Sequence, residues 1–124
     1  NIKDHKIHSE YISVSKELVT EIINTKKIGG NIIAVGTTSL RAIETVFSKK
    51  LDQFDGLTDI FIYPGHEFKA IDKLITNFHL PKSTLLMLVA AFIGFDRMKY
   101  LYEIAIKKRY RFLSYGDAMF LTRK

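Results

Sequence analysis

Apolar residues recur at two spacings along the chain, and these spacings predict alternating helices and strands. Between residues 14 and 28, one helical face collects apolar side chains, namely Val14, Leu18, Val19, Ile22 and Ile23. Ser13 or Ser15 precedes this helix as a capping residue, whose side chain accepts from the first backbone N–H groups. Gly29 and Gly30 end it, because glycine adopts the left-handed conformation found at helix C-termini.

The rest of the chain divides into segments of the same two kinds. In the first half of the chain the pattern predicts a short strand or extended entry at 7–14, a buried strand at 31–36, a helix at 37–50 that begins with capping residues, and a strand then a turn at 58–65. In the second half it predicts extended chain at the end of 71–78, a helix at 84–93 capped by Ser83 or Thr84, a helix at 97–109, and a strand, tight turn and strand at 110–121.

The order of elements indicates the fold class. Helices and strands mostly alternate, which favours an α/β fold with a largely parallel sheet and flanking helices. The segment 51–57 is interpreted as a connection within one domain, and 124 residues suffice for one domain with a core.

Composition narrows the class of protein. The net charge of +6 favours polyanionic partners, although a lysine-rich composition gives the same balance without them. The absence of cysteine excludes disulfides and thiolate metal sites. Apolar runs are too short to cross a bilayer, and no signal peptide pattern is present, so we expect a cytoplasmic protein without membrane attachment. The chain opens on Asn1 in a sequence typical of the middle of a protein, so we expect part of a longer enzyme.

The segment 32–44 (IIAVGTTSLRAIE) combines a strand, a glycine turn, hydroxyl side chains and a helix start. Such a junction holds anions through backbone N–H groups and the helix dipole. Thr37, Thr38 and Ser39 could donate to a carboxylate or phosphate, and Arg41 could bind it bidentately. An ordinary helix cap with a surface arginine is the alternative. The glycine patterns of dinucleotide-binding folds and P-loops are absent.

The segment 62–68 (IYPGHEF) predicts a chain reversal at Pro64 and Gly65. A turn alone explains this segment. The functional alternative is that Tyr63 and Phe68 offer stacking faces to a flat base.

The segment 77–88 (NFHLPKSTLLML) places polar groups at the start of an apolar helix, namely Asn77, His79, Lys82, Ser83 and Thr84. A buried helix holds its own amino terminus rigidly, as a binding or catalytic site requires. Lys82 beside the positive end of the helix dipole is unfavourable unless an anion binds there. His79 could act as acid or base, or it could be a structural hydrogen-bonding residue.

Two further segments carry ionisable groups. In 114–119 (SYGDAM), Asp117 forms a turn, holds ribose hydroxyls or acts as a base. The HSE at 8–10 matches the H-x-E of zinc deaminases, which also need a cysteine pair that this chain lacks. A metal site at His5, His8 and Glu10 is therefore disfavoured, and we expect no metal.

Three stretches together resemble the S-adenosylmethionine:tRNA ribosyltransferase-isomerases of queuosine biosynthesis. They are IIAVGTTSLRAIE, IFIYPGHEFKAIDKLITNFHLPKSTLLMLVAAFIG and YRFLSYGDAMFL. The resemblance covers nearly the whole chain and matches the C-terminal part of that family. It implies that 1–124 is a single α/β domain belonging to a larger barrel-like α/β domain. It also implies that the N-terminal part and an inserted β-barrel domain are absent here.

The resemblance implies an unusual reaction. S-adenosylmethionine serves as a consumed substrate, whose ribosyl part is transferred to 7-aminomethyl-7-deazaguanine at the wobble position of tRNA. The ribose becomes an epoxycyclopentanediol, giving epoxyqueuosine with release of adenine and methionine. A base first removes a proton next to the sulfonium, adenine leaves, the amine attacks, and epoxide closure expels methionine.

The resemblance also suggests roles for residues. His79 or Asp117 would be the base, and residues 37–41 would hold the methionine carboxylate. Ribose hydroxyls would be bound by Asn77, Glu44 or Asp117. The flat rings would stack on Tyr63, Phe78 or Tyr115. Phosphates of tRNA would meet basic residues, among them Lys82, Lys107, Lys108, Arg109 and Arg111.

Two other interpretations stay open, namely a non-catalytic basic RNA-binding module and polar turns that merely cap helices. An RNA binder needs dispersed lysine and arginine, not dense turns of hydroxyl, amide and carboxylate groups. If the turns at Thr37–Arg41, Asn77–Thr84 and Tyr115–Asp117 converge, the enzyme is favoured; if they scatter, helix capping is favoured.

Overall fold

The computed structural model describes residues 9–79, 83–113 and 116–124. Within them the elements are, in chain order, β1 (Glu10–Val14), α1 (Lys16–Lys27), β2 (Ile33–Val35), α2 (Thr37–Ser48), β3 (Phe54–Thr58), β4 (Lys73–Asn77), α3 (Thr84–Ile93), α4 (Phe95–Lys107) and β5 (Ala118–Thr122). The mixture of helices and strands confirms the α/β class. None of the helices in the described ranges is both long and apolar enough to cross a membrane.

Helix starts are of two kinds. The Oγ of Ser15 accepts from the N–H of Leu18, and the Oγ of Ser83 accepts from the N–H of Leu86, each at 3.1 Å. The sequence predicts each cap as one of two alternatives, and the structure selects Ser15 over Ser13 and Ser83 over Thr84. Helices α2 and α4 instead begin after glycines with φ of 93° and 95°, and no side chain caps them. The predicted hydroxyl cap of α2 is therefore wrong, since Gly36 turns the chain into the helix by its backbone alone.

The described strands form two sheets. In the three-stranded sheet β4 lies in the centre, parallel to β2 and antiparallel to β5. The other sheet is the antiparallel pair β1 and β3. The predicted largely parallel sheet is wrong because two helices, not one, separate β4 from β5. Helix α3 leads the chain away from the end of β4 and α4 brings it back, so β5 must run in the opposite direction.

Two segments differ from the predicted strands. Strand β3 occupies 54–58, where a connection was expected, and the apolar run after it is irregular. The carbonyl of Ile60 accepts from the Arg41 guanidinium at 3.0 Å, so a side chain takes the place of a sheet partner there. Residues 110–113 also form no strand; the N–H of Leu113 donates to the carbonyl of Phe78 at 2.8 Å, and the described residues show no ladder of strand pairing around this bond.

The core lies on one face of the three-stranded sheet. Ala34, Leu74 and Leu121 point to this face and are buried with residues of α2 and α3. On the opposite face Val35, Ile75 and Phe120 are paired in register across the strands and are 67%, 36% and 61% exposed. The described helices therefore cover one face of the sheet. The larger barrel-like domain and the inserted domain stay predictions.

Candidate active site

Three polar turns meet at one end of the three-stranded sheet. Because β2 and β4 are parallel, their carboxyl ends lie side by side, and antiparallel β5 begins at that same end. The N–H of Gly36 donates to the carbonyl of Ile75 at 2.7 Å. The Nδ2 of Asn77 donates to the carbonyl of Asp117 at 3.2 Å. We call this end, formed by residues 36–39, 77–79, 83–84 and 116–117, the rim.

The first turn of the rim is an open helix amino terminus. Gly36 has a φ of 93°, and a Cβ at this position would meet no heavy atom within 4 Å. Thr37 is half-buried, whereas Thr38 and Ser39 are exposed. The positive end of the α2 dipole, uncapped by any side chain and flanked by hydroxyl groups, is suited to an anion.

Arg41 lies one turn further along α2 and bonds within the protein. Its Nη1 pairs with the carboxylate of Glu10, and its Nη2 and Nε donate to the carbonyl of Ile60 at 3.0 and 3.3 Å. The residue is 8% exposed. Its inner side lines a cavity of about 170 Å³ that also reaches Thr84 on α3. The predicted bidentate binding of a substrate carboxylate by Arg41 stays a prediction, and these contacts show a structural role.

Glu44 anchors a loop. The carboxylate is fully buried and accepts from the N–H groups of Lys69, Ala70 and Ile71 at 2.8, 2.9 and 3.1 Å. The Nε2 of His66 lies 3.3 Å from the same carboxylate. Its described bonds thus go to the protein, and the ribose contact predicted for Glu44 has no support from its position.

His79 is held between strand β4 and helix α4. Its N–H donates to the hydroxyl of Tyr102 at 2.9 Å, and its Nε2 lies 3.2 Å from the Oγ1 of Thr76. The side chain is buried, which lowers the pKa of His79 because the charged imidazolium loses its hydration. The ring is therefore neutral near pH 7, the form that a general base requires.

Phe78 belongs to the core. It is 4% exposed, and its ring lies 5.4 to 5.8 Å from the rings of Phe112, Tyr102 and Tyr110. This aromatic cluster fixes the chain just before His79. With so little of the residue exposed, the predicted stacking of Phe78 on a substrate base gains no support.

Asp117 closes the third turn with Arg111. Its carboxylate accepts from the backbone N–H of Arg111 and from its Nε, the latter at 3.3 Å. The backbone hydrogen bond and then the guanidinium lower the pKa of Asp117, so it is ionised near neutrality and is a weak base. Gly116 has a φ of 122°, and a Cβ there would lie 3.2 Å from the Nη2 of Arg111. Glycine thus lets the guanidinium pack on the turn.

Other predicted residues are placed as follows. Ser83 caps α3, Thr84 begins it, and Asn77 is exposed on the rim. The turn at Pro64 and Gly65 is confirmed, since the N–H of His66 donates to the carbonyl of Tyr63 at 3.0 Å. Tyr63 is 42% exposed and packs on Phe61 with ring centroids 5.2 Å apart. Lys82 and Tyr115 lie outside the described residues.

Sequence reasoning missed the residues that position the site. Thr76, Tyr102 and Arg111 bond to His79 and Asp117, yet none was assigned such a role. Strand alternation was the available signal for Thr76, because it places this residue on the inner face with Leu74. His5 and His8 lie outside the described residues; among the residues described, no cluster of three His, Asp or Glu side chains is arranged to hold a metal ion.

Comparison with known proteins assigns the chain to a family. Residues 1–121 match the family model described as queuosine biosynthesis protein. The chain is 58% identical over 123 residues to the S-adenosylmethionine:tRNA ribosyltransferase-isomerase of Halothermothrix orenii, covering 98% of the chain and 36% of that relative's length. It also matches the crystal structure of an S-adenosylmethionine tRNA ribosyltransferase from Thermotoga maritima, with a TM-score of 0.82 and 51% identity over 89% of the chain and 39% of that structure. The chain therefore belongs to the queuosine biosynthesis protein family.

Proposed function

We propose that the chain is part of an enzyme that transfers and isomerises the ribosyl group of S-adenosylmethionine onto 7-aminomethyl-7-deazaguanine in tRNA. The product would be epoxyqueuosine-tRNA, with adenine and methionine released. The observation that carries this proposal is the meeting of three polar turns at the rim. The names of the relatives agree with it, although the chain spans only 36% of the Halothermothrix orenii relative.

The proposed reaction begins with removal of a proton from the carbon next to the positive sulfur, which acidifies it. Adenine then leaves with a proton, and the amine of the deazaguanine bonds to the sugar carbon that held adenine and loses a proton. The carbon that lost its proton to the base bonds to that same sugar carbon, whose bond to the ring oxygen breaks, and the freed oxygen attacks the carbon that carries the sulfur. Closure of the epoxide ring breaks the carbon–sulfur bond and releases methionine, whose sulfur keeps the electron pair. S-adenosylmethionine is thus a consumed substrate, and no metal enters the scheme.

The proton-accepting group is better assigned to His79 than to Asp117. The lowered pKa of His79 keeps a neutral imidazole available near pH 7. Both pKa values are lowered, but that of His79 from an ordinary 6.5 and that of Asp117 from an ordinary 3.8, so the carboxylate is the weaker proton acceptor, and it already accepts from the backbone and the side chain of Arg111. We therefore propose His79 as the base, and Asp117 with Asn77 as acceptors for ribose hydroxyls.

The open amino terminus of α2 is the proposed site for the methionine carboxylate. Thr38 and Ser39 are exposed there, and the helix dipole favours a negative charge. Arg41 is turned towards Glu10 and Ile60, so the anion would meet hydroxyl and backbone N–H groups first. This arrangement would place the reacting carbon near the second and third turns.

A reaction assay tests the proposal. The full-length polypeptide that carries this chain is incubated with S-adenosylmethionine and tRNA containing 7-aminomethyl-7-deazaguanine. Adenine release together with the mass gain of an epoxycyclopentanediol on the tRNA is the expected result. Binding of the tRNA with no adenine release would contradict the enzyme and favour the non-catalytic RNA-binding module. A methyl-sized gain would contradict the proposed chemistry.

A further inference from the structure

Helix α4 ends in a run of cations beside the rim. Residues 107–111 read Lys-Lys-Arg-Tyr-Arg, and we call them the basic knuckle. Glu103 is the only acidic residue between Asp96 and Asp117 in the sequence. The local charge is therefore strongly positive, which suits a polyanion.

The backbone of the basic knuckle is fixed by its own hydrogen bonds. The N–H of Tyr110 donates to the carbonyl of Ala105 at 2.9 Å, and the N–H of Arg109 donates to that of Ile106 at 3.1 Å. Arg109 takes the left-handed conformation, with a φ of 59°. This closed turn fixes the backbone from which three adjacent cationic side chains extend at the surface.

The cations of the basic knuckle differ in their partners. Arg111 is used by the fold, since its Nε pairs with Asp117 at 3.3 Å. Lys107, Lys108 and Arg109 are exposed, and within the described ranges none of them forms an ion pair. These three charges are available to a ligand. A cation at a helix C-terminus also suits the helix dipole, so its presence alone does not establish a binding role.

The position of the basic knuckle beside the rim favours a binding role. Leu113, two residues beyond it, donates its N–H to the carbonyl of Phe78 at 2.8 Å. Arg111 pairs with Asp117, whose carbonyl in turn accepts from Asn77. The basic knuckle is therefore joined to the second and third turns of the rim. Lys49 and Lys50 end α2 in a similar way, but α2 starts at the rim, and its 12 residues place them about 18 Å away.

We infer that Lys107, Lys108 and Arg109 bind the phosphate backbone of the RNA that presents its base to the rim. Tyr110 is 46% exposed and rests on Phe78 with ring centroids 5.8 Å apart, so its outer face can stack an unpaired base. The inference rests on the proposed function and deepens it. It assigns the approach of the RNA to the α4 side of the rim.

The test compares two matched pairs of lysines in the full-length polypeptide. The double variant Lys107→Gln/Lys108→Gln removes two charges beside the rim, and Lys49→Gln/Lys50→Gln removes two at the far end of α2. The probe is a synthetic anticodon stem-loop RNA with 7-aminomethyl-7-deazaguanine at the wobble position. We expect the first variant to raise Kd about tenfold and to lower the slope of log Kd against log salt by about 2, one for each phosphate that is no longer neutralised. The second should leave both values unchanged.

Turnover separates this inference from the proposed function. Because the first double variant binds the RNA phosphates more weakly, KM for the RNA should rise while kcat stays the same. Equal losses of affinity in the two double variants would mean non-specific attraction, and no loss in either would mean that RNA binds elsewhere; both results overturn the inference. If either result is found but the protein without substitutions still forms the product, the proposed function stands. The Lys107→Gln/Lys108→Gln variant is also tested for binding to anionic phospholipid vesicles. If it binds the vesicles more weakly than the unsubstituted protein but binds the RNA equally well, the inference is overturned and the basic knuckle is assigned to a membrane surface.

Discussion

Helix α2 serves two regions that use polar side chains in opposite ways. At its first turn Thr38 and Ser39 are exposed at the rim. One and two turns later, Arg41 and Glu44 are buried and hold the two ends of an irregular segment, residues 59–72, which we call the pinned loop. Arg41 donates to a carbonyl at its beginning, and Glu44 accepts from N–H groups near its end.

The difference shows that residue type alone does not identify a ligand site. Residues 59–71 of the pinned loop belong to none of the described strands, and Arg41 and Glu44 of α2 form hydrogen bonds with their backbone that a neighbouring strand would otherwise supply. The rim keeps exposed hydroxyl and amide groups on rigid element ends, which is the arrangement of a binding site. Substitutions in the two regions should therefore separate stability from activity.

The largest loss of stability is expected for Glu44→Gln. The new amide turns one acceptor into a donor facing buried N–H groups, which leaves hydrogen bonds unmade. We expect the free energy of unfolding to fall by about 3 kcal/mol, measured by chemical denaturation. Glu17→Gln, at an exposed position of α1, is the control and should change little. A loss as small as that of the control would contradict the anchoring role.

Gly116→Ala should come next. The added methyl group must accept a φ of 122° and would lie 3.2 Å from the guanidinium of Arg111. We expect a loss of about 2 kcal/mol and a weakened Arg111–Asp117 pair. Gly56→Ala is the matched control, since Gly56 has an ordinary φ and its Cβ would make only a 3.5 Å contact with Phe54. Equal unfolding temperatures for the two variants would show that the third turn is less constrained than its geometry indicates.

His79 should give stability a pH dependence in mildly acidic solution. Its pKa is lowered in the folded protein from the ordinary 6.5, so the unfolded chain binds the proton first as the pH falls. Stability is therefore complete above pH 6.5 and decreases below it, towards the folded pKa. Denaturation curves between pH 7 and 5 should show this decrease, and His79→Gln should reduce it. Asp72 and Asp117 have lowered pKa values, so their contributions are lost only below their ordinary 3.8.

Much of the fold followed from local pattern. The caps at Ser15 and Ser83 and the helices after them depend on neighbouring residues, which the sequence contains in full. The direction of β5 and the irregular course of the pinned loop depend on contacts between distant residues. Arg41 and Ile60 lie 19 positions apart in the sequence. No local pattern indicates that the Arg41 guanidinium, and not a neighbouring strand, donates to the Ile60 carbonyl.

The sequence predicted the three turns of the candidate site, but it did not predict the role of each residue in them. Dense polar residues at strand ends identified all three turns, and the sheet then brought them together. The roles of the residues depend on burial, which the sequence pattern did not indicate. Phe78 is buried in the core, and Glu44 is buried where it anchors the pinned loop. Burial also lowered the pKa of His79, whose partners Thr76 and Tyr102 come from two different elements.

The double variant Thr38→Ala/Ser39→Ala should have the smallest effect on stability. It should nevertheless lower activity. Both residues are exposed at the start of α2, so the free energy of unfolding should change by less than about 0.5 kcal/mol. If their hydroxyls donate to the methionine carboxylate, KM for S-adenosylmethionine should rise about tenfold for one missing charged hydrogen bond. Thr20→Ala, exposed on α1, is the control for stability and turnover. An unchanged KM in the double variant would remove the amino terminus of α2 from the substrate site and leave the rim with two functional turns.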